Sequence, residues 1–163
     1  MKTNITPIKN EFENEIIDLI LSIQQIEFNV PITLQDQPDL LDIDNFYYGS
    51  GGGFWGAFIG EELVGTIALV KFDEKGAAIR KMFVKKEYRG KEFSIAQNLL
   101  ITLIAYCKEN KIDDLYLGTV SKLEAALRFY EKNGFVRVEK EALPNAFPLM
   151  SPDNVFCHLP LKK

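Results

Sequence analysis

Apolar positions along the chain alternate between two periods, and the changes of period divide it into elements. Phe12, Ile16, Leu19, Ile20 and Ile23 recur at helical spacing behind Asn10, a residue type that caps helices, with Glu13 at the third position. The stripe gives out at Glu27-Phe28-Asn29-Val30-Pro31, where a residue before proline is pushed out of the helical region. Pro38 suits a first helical turn, so a second helix is predicted through Leu40, Leu41 and Ile43 toward Tyr48. Strand composition follows at Phe54–Ile59, Leu63–Val70 and Ala77–Val84, with turns at Gly60-Glu61-Glu62 and Asp73–Gly76, which reads as an antiparallel meander. Ile95, Leu99, Leu103, Ile104 and Cys107 return to helical spacing. After that come a short strand at Asp114–Thr119 and a capping box Ser121-Lys122-Leu123-Glu124 opening a further helix. This helix ends at Asn133-Gly134, and strands follow at Phe135–Glu139 and Val155–Leu161.

This order predicts an α+β fold, sandwich-like, with a mixed and mostly antiparallel sheet flanked by about four helices. The strand–helix–strand unit from Ala77 to Thr119 calls for a parallel crossover, and so for one central parallel strand pair.

Composition narrows the class. A chain of 163 residues, 47% hydrophobic, fits a single domain over 1–163. A net charge of −4 and a pI near 5.1 argue against nucleic acid as a partner. The first ten residues lack a signal-like apolar core, and no apolar run reaches the roughly 18 residues that span a bilayer, so a cytoplasmic protein without membrane association is expected. Cys107 and Cys157 stand far apart with one histidine in the chain, a pattern that points to neither a metal site nor a disulfide framework.

The candidate chemistry lies between the third strand and the next helix. Arg89, Gly90 and Lys91 precede a helix start, where free backbone N–H groups and the helix dipole favour an anion. Gly51, Gly53 and Gly56 formally satisfy a dinucleotide fingerprint. They precede a strand, however, whereas that fingerprint follows a strand and opens a helix.

Three stretches together resemble the GNAT superfamily of N-acetyltransferases over nearly the whole chain. They are L-V-G-T-I-A-L-V followed by I-R-K-M-F-V-K-K-E-Y-R-G-K-E-F-S, then L-Y-L-G-T, then A-A-L-R-F-Y-E-K-N-G-F. The resemblance implies acetyl-CoA as cosubstrate, no metal, and direct transfer of the acetyl group to a primary amine of a small molecule, amino acid or peptide. By position, Met82, Phe83 and Val84 supply the strand backbone for the pantetheine arm and thioester, and Arg89, Gly90, Lys91, Glu92, Phe93 and Ser94 cradle the diphosphate. Tyr130 matches the family tyrosine that protonates the departing thiolate. Glu27 falls in the loop bordering the acceptor site, as a base for the amine. The chain departs from the family pattern where Glu92 and Ser94 occupy its two later small positions.

A same-fold module that binds acyl-CoA without turnover fits these residues as well, and a nucleotide binder using the glycine run is a third reading. Asp36, Asp39, Asp42 and Asp44 form an acidic stretch that suits a cationic acceptor; Tyr47, Tyr48, Phe54 and Trp55 are either pocket lining or core; His158 is a second candidate base. The terminal strand Val155–Leu161 is a candidate edge for a homodimer.

Overall fold

A computed structural model describes residues 2–90, 94–150 and 153–161. It contains a seven-stranded sheet in the order β1-β2-β3-β4-β5-β7-β6. The strands are β1 (Thr3–Pro7), β2 (Gly53–Ile59), β3 (Glu62–Lys71), β4 (Gly76–Val84), β5 (Asp114–Thr119), β6 (Val136–Val138) and β7 (Val155–Pro160). Three α-helices accompany them: α1 (Glu13–Leu21), α2 (Ile95–Glu109) and α3 (Glu124–Lys132). As the pattern predicts, β4 and β5 run parallel and β2–β3 is antiparallel; β1–β2, β5–β7 and β6–β7 are antiparallel as well. The chain groups into two compact units, Met1–Val70 with Arg80–Tyr106, and Lys71–Ile79 with Cys107–Lys163. Among the described residues no helix is long and apolar enough to cross a membrane.

In the first unit the apolar stripes meet as expected. Ile16, Leu19, Ile20 and Ile23 join Leu40, Ile43, Tyr47, Phe54 and Leu63 in one buried cluster. The local structure differs from the expectation in three places. The N-terminal segment is a strand, β1, paired with β2 from Thr3↔Ile59 to Pro7↔Trp55. Asn10 does not cap α1: its side chain donates to Asp42 (3.1 Å) and accepts the Asp44 N–H (3.1 Å). The expected second helix is instead a 3-10 turn at Pro38–Leu41 and a π-helical turn at Asp44–Tyr48, and α1 continues as a π-helical segment, Ser22–Glu27.

What holds these irregular segments is a buried polar network centred on β4. Lys81 has φ +54°, a left-handed conformation that costs a non-glycine residue roughly 1–2 kcal/mol. Its carbonyl accepts the Thr66 hydroxyl at 2.7 Å. Its ammonium lies 3.6 Å from the Asp39 carboxylate, both side chains being 4% exposed, and it donates to Gln37 Oε1. Tyr47 donates its hydroxyl to the same Asp39 oxygen at 2.5 Å, and burial, with the Asp39 charge next, holds that phenol well above its ordinary pKa. Gln37 and Gln24 exchange amide hydrogen bonds at 2.8 and 3.2 Å.

The second unit is built on β5 and β7. The expected capping box fails, because Ser121 bonds Asn154 instead and α3 starts at Glu124 without a side-chain cap. Gly134, at φ +95°, ends α3 as predicted. The terminal strand is not an edge: β7 pairs with β5 along Val155–Pro160 and with β6 along Phe156–His158. Over Phe156–His158 the strand is therefore paired on both sides and offers no free edge there.

Two stability outcomes follow. Lys81→Met strands a buried carboxylate and should lower unfolding free energy by roughly 3–5 kcal/mol, and adding Asp39→Asn should recover part of that loss in urea titrations. A Cβ at Gly65 would meet Phe83 O at 3.1 Å, Ile95 at 3.2 Å and Leu99 at 3.3 Å, beneath α2. Gly65→Val should therefore cost roughly 1–3 kcal/mol on the same titration.

Candidate functional site

The parallel pairing of β4 covers Gly76–Ile79 against Asp114–Leu117. Met82, Phe83 and Val84 lie beyond its last pair, past the left-handed Lys81. A 3-10 turn at Lys86–Tyr88 and Gly90 at φ +133° then reverse the chain toward α2. That φ is freely open only to glycine. Ser94, at φ +51°, donates its N–H to Gly90 O (3.2 Å), and its carbonyl accepts the Asn98 N–H (3.0 Å), so it sits at the entrance to α2. The first turn of a helix presents N–H groups that lack intrahelical acceptors, which makes this entrance suited to an anion. Lys91, Glu92 and Phe93 lie outside the described residues.

Arg89 is engaged within the protein. Its Nε donates to Val84 O at 2.8 Å, its Nη1 and Nη2 contact Glu27 Oε2 and Oε1 at 2.5 and 2.7 Å, and its guanidinium lies 5.6 Å from the Phe28 ring centroid. The structure thus joins two residues that the sequence assigned to separate roles. Glu27 also borders a cleft of about 540 Å³, whose rim carries Glu15, Asp18, Glu61, Glu62 and Glu87 against Lys85 and Lys86. Hydrogen bonds from Lys85, then Tyr88, hold the Glu62 carboxyl below its ordinary pKa.

In the second unit Tyr130 is 5% exposed and packs edge-on against Phe129 and Phe135, with ring centroids 5.6 and 5.5 Å away. Burial, with Cys157 adding to it, pushes the phenol well above its usual value, so the hydroxyl keeps its proton. The Cys107 thiol is pushed up to about 12 by burial, which makes it inert as a nucleophile.

The remaining candidates have local partners. His158 Nε2 lies 2.8 Å from Asp114 and its ring stacks on Tyr116 at 4.5 Å. Asp36 accepts the Thr33 N–H and hydroxyl, while Asp42 accepts from Asn10 and Asn45. Tyr47, Phe54 and Trp55 are core residues, and the Tyr48 hydroxyl lies between the carbonyls of Ile8 (2.9 Å) and Phe54 (2.8 Å). The glycine run allows a close approach: a Cβ at Gly52 would fall 1.8 Å from Leu69 O, and Gly51 O accepts the Tyr106 hydroxyl at 2.6 Å. Residues that the pattern did not single out are Lys81, Gln37 and Gln24. The one available signal was the Arg80-Lys81 pair interrupting the apolar residues from Ala77 to Val84.

Comparison with known proteins gives one family. The Acetyltransferase (GNAT) family matches residues 17–135. A probable N-acetyltransferase family 8 member 5 of Mus musculus is 31% identical over 109 residues, 64% of this chain and 47% of the relative. The Xenopus tropicalis probable N-acetyltransferase camello is 28% identical over 110 residues, 66% and 49% of the two chains. This chain therefore spans about half the length of the curated relatives it matches. A GNAT-family acetyltransferase structure from Staphylococcus aureus superposes with a TM-score of 0.95 at 42% identity, over 99% of this chain and 100% of that one. The PaiA N-acetyltransferase of Thermoplasma acidophilum, solved in complex with coenzyme A, shares the fold with a TM-score of 0.77 at 19% identity, over 97% and 98% of the chains. The family match covers more than half of the sequence, and the chain belongs to the GNAT acetyltransferase family.

Proposed function

We propose that the protein is an acetyl-CoA-dependent N-acetyltransferase acting as a single domain, which transfers the acetyl group directly to a primary amine of a small molecule, amino acid or peptide. The observation that carries this is on β4: its pairing with β5 ends at Ile79, and the backbone of Met82–Val84 runs on from there to the glycine turn before α2. That backbone supplies ladder groups for the amide-bearing pantetheine arm, and the first turn of α2 beyond Ser94 supplies N–H groups without intrahelical acceptors for the diphosphate. A relative of the same fold carries coenzyme A in its solved structure, which supports the assignment.

The neutral amine attacks the thioester carbon, the carbonyl oxygen takes the electron pair, the nitrogen passes its extra proton to water, and collapse breaks the C–S bond to expel the thiolate. Tyr130 is assigned to the departing sulfur. A phenol held above its ordinary pKa of about 10 stays protonated at working pH and offers a hydrogen bond that strengthens as charge develops on sulfur. The acidic rim of the cleft at Glu15, Asp18 and Glu61 favours a cationic acceptor.

Thiol detection with acetyl-CoA and a panel of amino acids, polyamines, aminoglycosides and peptides tests the reading. Release with at least one amine is expected. Thermal stabilisation by CoA with no release by any acceptor would make the protein an acyl-CoA-binding module instead. Tyr130→Phe should lower kcat by about 100-fold or more while leaving the CoA dissociation constant within about twofold. Because the phenol stays protonated, an alkaline fall in rate below about pH 10 should persist unchanged in that variant.

A further inference from the structure

We infer that Glu27 and Arg89 form a brace that sets the end of the first helical segment against the turn entering the diphosphate site, and that both are positioning residues. This rests on the acetyltransferase reading. Glu27 closes the π-helical segment Ser22–Glu27, and Arg89 stands 62 residues later, one residue before Gly90. Both carboxylate oxygens face the guanidinium, in the fork-to-fork geometry that fixes two groups in direction as well as distance. The third point of the brace is Val84 O, which receives Nε at 2.8 Å on the last residue of β4. Phe28 covers the guanidinium at 5.6 Å.

This geometry is costly to exchange for a direct role. A guanidinium neutralised by a carboxylate offers a diphosphate little net attraction, and turning to phosphate would mean leaving Val84 and exposing the anion to Glu27. A carboxylate whose two oxygens both face a guanidinium is directed by that pairing, so it is badly placed to take an ammonium proton. The brace instead gives the π-helical segment a second fixed point. Gln24, three residues before Glu27, is held in the buried network through Gln37, and Glu27 is held at the turn. The segment therefore has one anchor on each side of Ile26, which lies on the cleft. The position of the cleft wall is thereby tied to the turn that receives the cosubstrate.

The test uses Glu27→Gln, Arg89→Met, Arg89→Lys and the Glu27→Gln/Arg89→Met pair, each checked for folding by circular dichroism. The readouts are CoA titration by calorimetry and steady-state kinetics with the amine found in the panel. A brace predicts that every variant, Arg89→Lys included, raises the amine KM by roughly tenfold, that the double variant is no worse than the single ones, and that CoA affinity stays within about twofold. The acidic limb of kcat/KM against pH should be unchanged in Glu27→Gln. A large loss of CoA affinity in Arg89→Met that Arg89→Lys and Glu27→Gln do not share would make Arg89 a phosphate ligand and overturn the inference. Loss of the acidic limb in Glu27→Gln alone would make Glu27 the base and overturn it too. If no amine releases thiol, the acetyltransferase reading fails. The brace is then judged by CoA titration and by a double-variant cycle in urea, where additive losses would refute it.

Discussion

A lysine ammonium withdrawn from water is tolerable only where a carboxylate and further hydrogen bonds replace its hydration, and the first unit is built around one such case. Lys81 meets Asp39 at 3.6 Å, and through Gln37 and Tyr47 the pair reaches the segments on either side of it. Regular α-helix is scarce in that region, which runs through π-helical and 3-10 turns. Such turns have poorer backbone geometry and rely on side chains to fix them. The side chains that do so, Gln24, Gln37, Asp39 and Tyr47, all lead to one residue on β4.

That residue also divides β4. Before Lys81 the strand pairs with β5; after it come the three residues assigned to the thioester and the pantetheine arm. The left-handed backbone at Lys81 persists because its carbonyl is taken by Thr66 and its ammonium by the network. The far end of the same stretch is fixed at Val84 O by Arg89. A strand segment held at both ends is preorganised, which is what the proposed role toward a thioester requires of its backbone groups.

Much of this was legible in the chain. The meander, the parallel crossover, α2 and the glycine turn follow from apolar periodicity and from residues with restricted conformations, both local signals. β1 was not legible, because Thr3-Asn4-Ile5-Thr6-Pro7 is polar, ends in proline and has no apolar alternation; it is a strand because β2 offers an edge. Ser121 looked like a helix cap, but Asn154, distant in sequence, won its hydrogen bonds. The second helix broke for the same reason, since Asn10 reaches across to Asp42 and Asp44. The Lys81 network and the Glu27–Arg89 pair are likewise tertiary. Each residue reads as an ordinary surface charge until its partner is known.

The acidic residues separate into two jobs that composition alone merges. Asp36, Asp42 and Asp44 each accept from neutral donors of the chain, and hydrogen bonds from Asn45 and then Asn10 hold Asp42 below its ordinary pKa. Neutral donors leave the charge in place, so these groups contribute to a long-range field. Asp39 contributes little even to the field, being paired with Lys81. The acids at the rim of the cleft face solvent around a shaped volume, where a cation meets both charge and walls. Attraction from the first group is screened within a Debye length of about 8 Å at physiological salt, whereas contact in the cleft is screened much less. For the cationic amine proposed above, salt should therefore slow capture more than it weakens the bound complex.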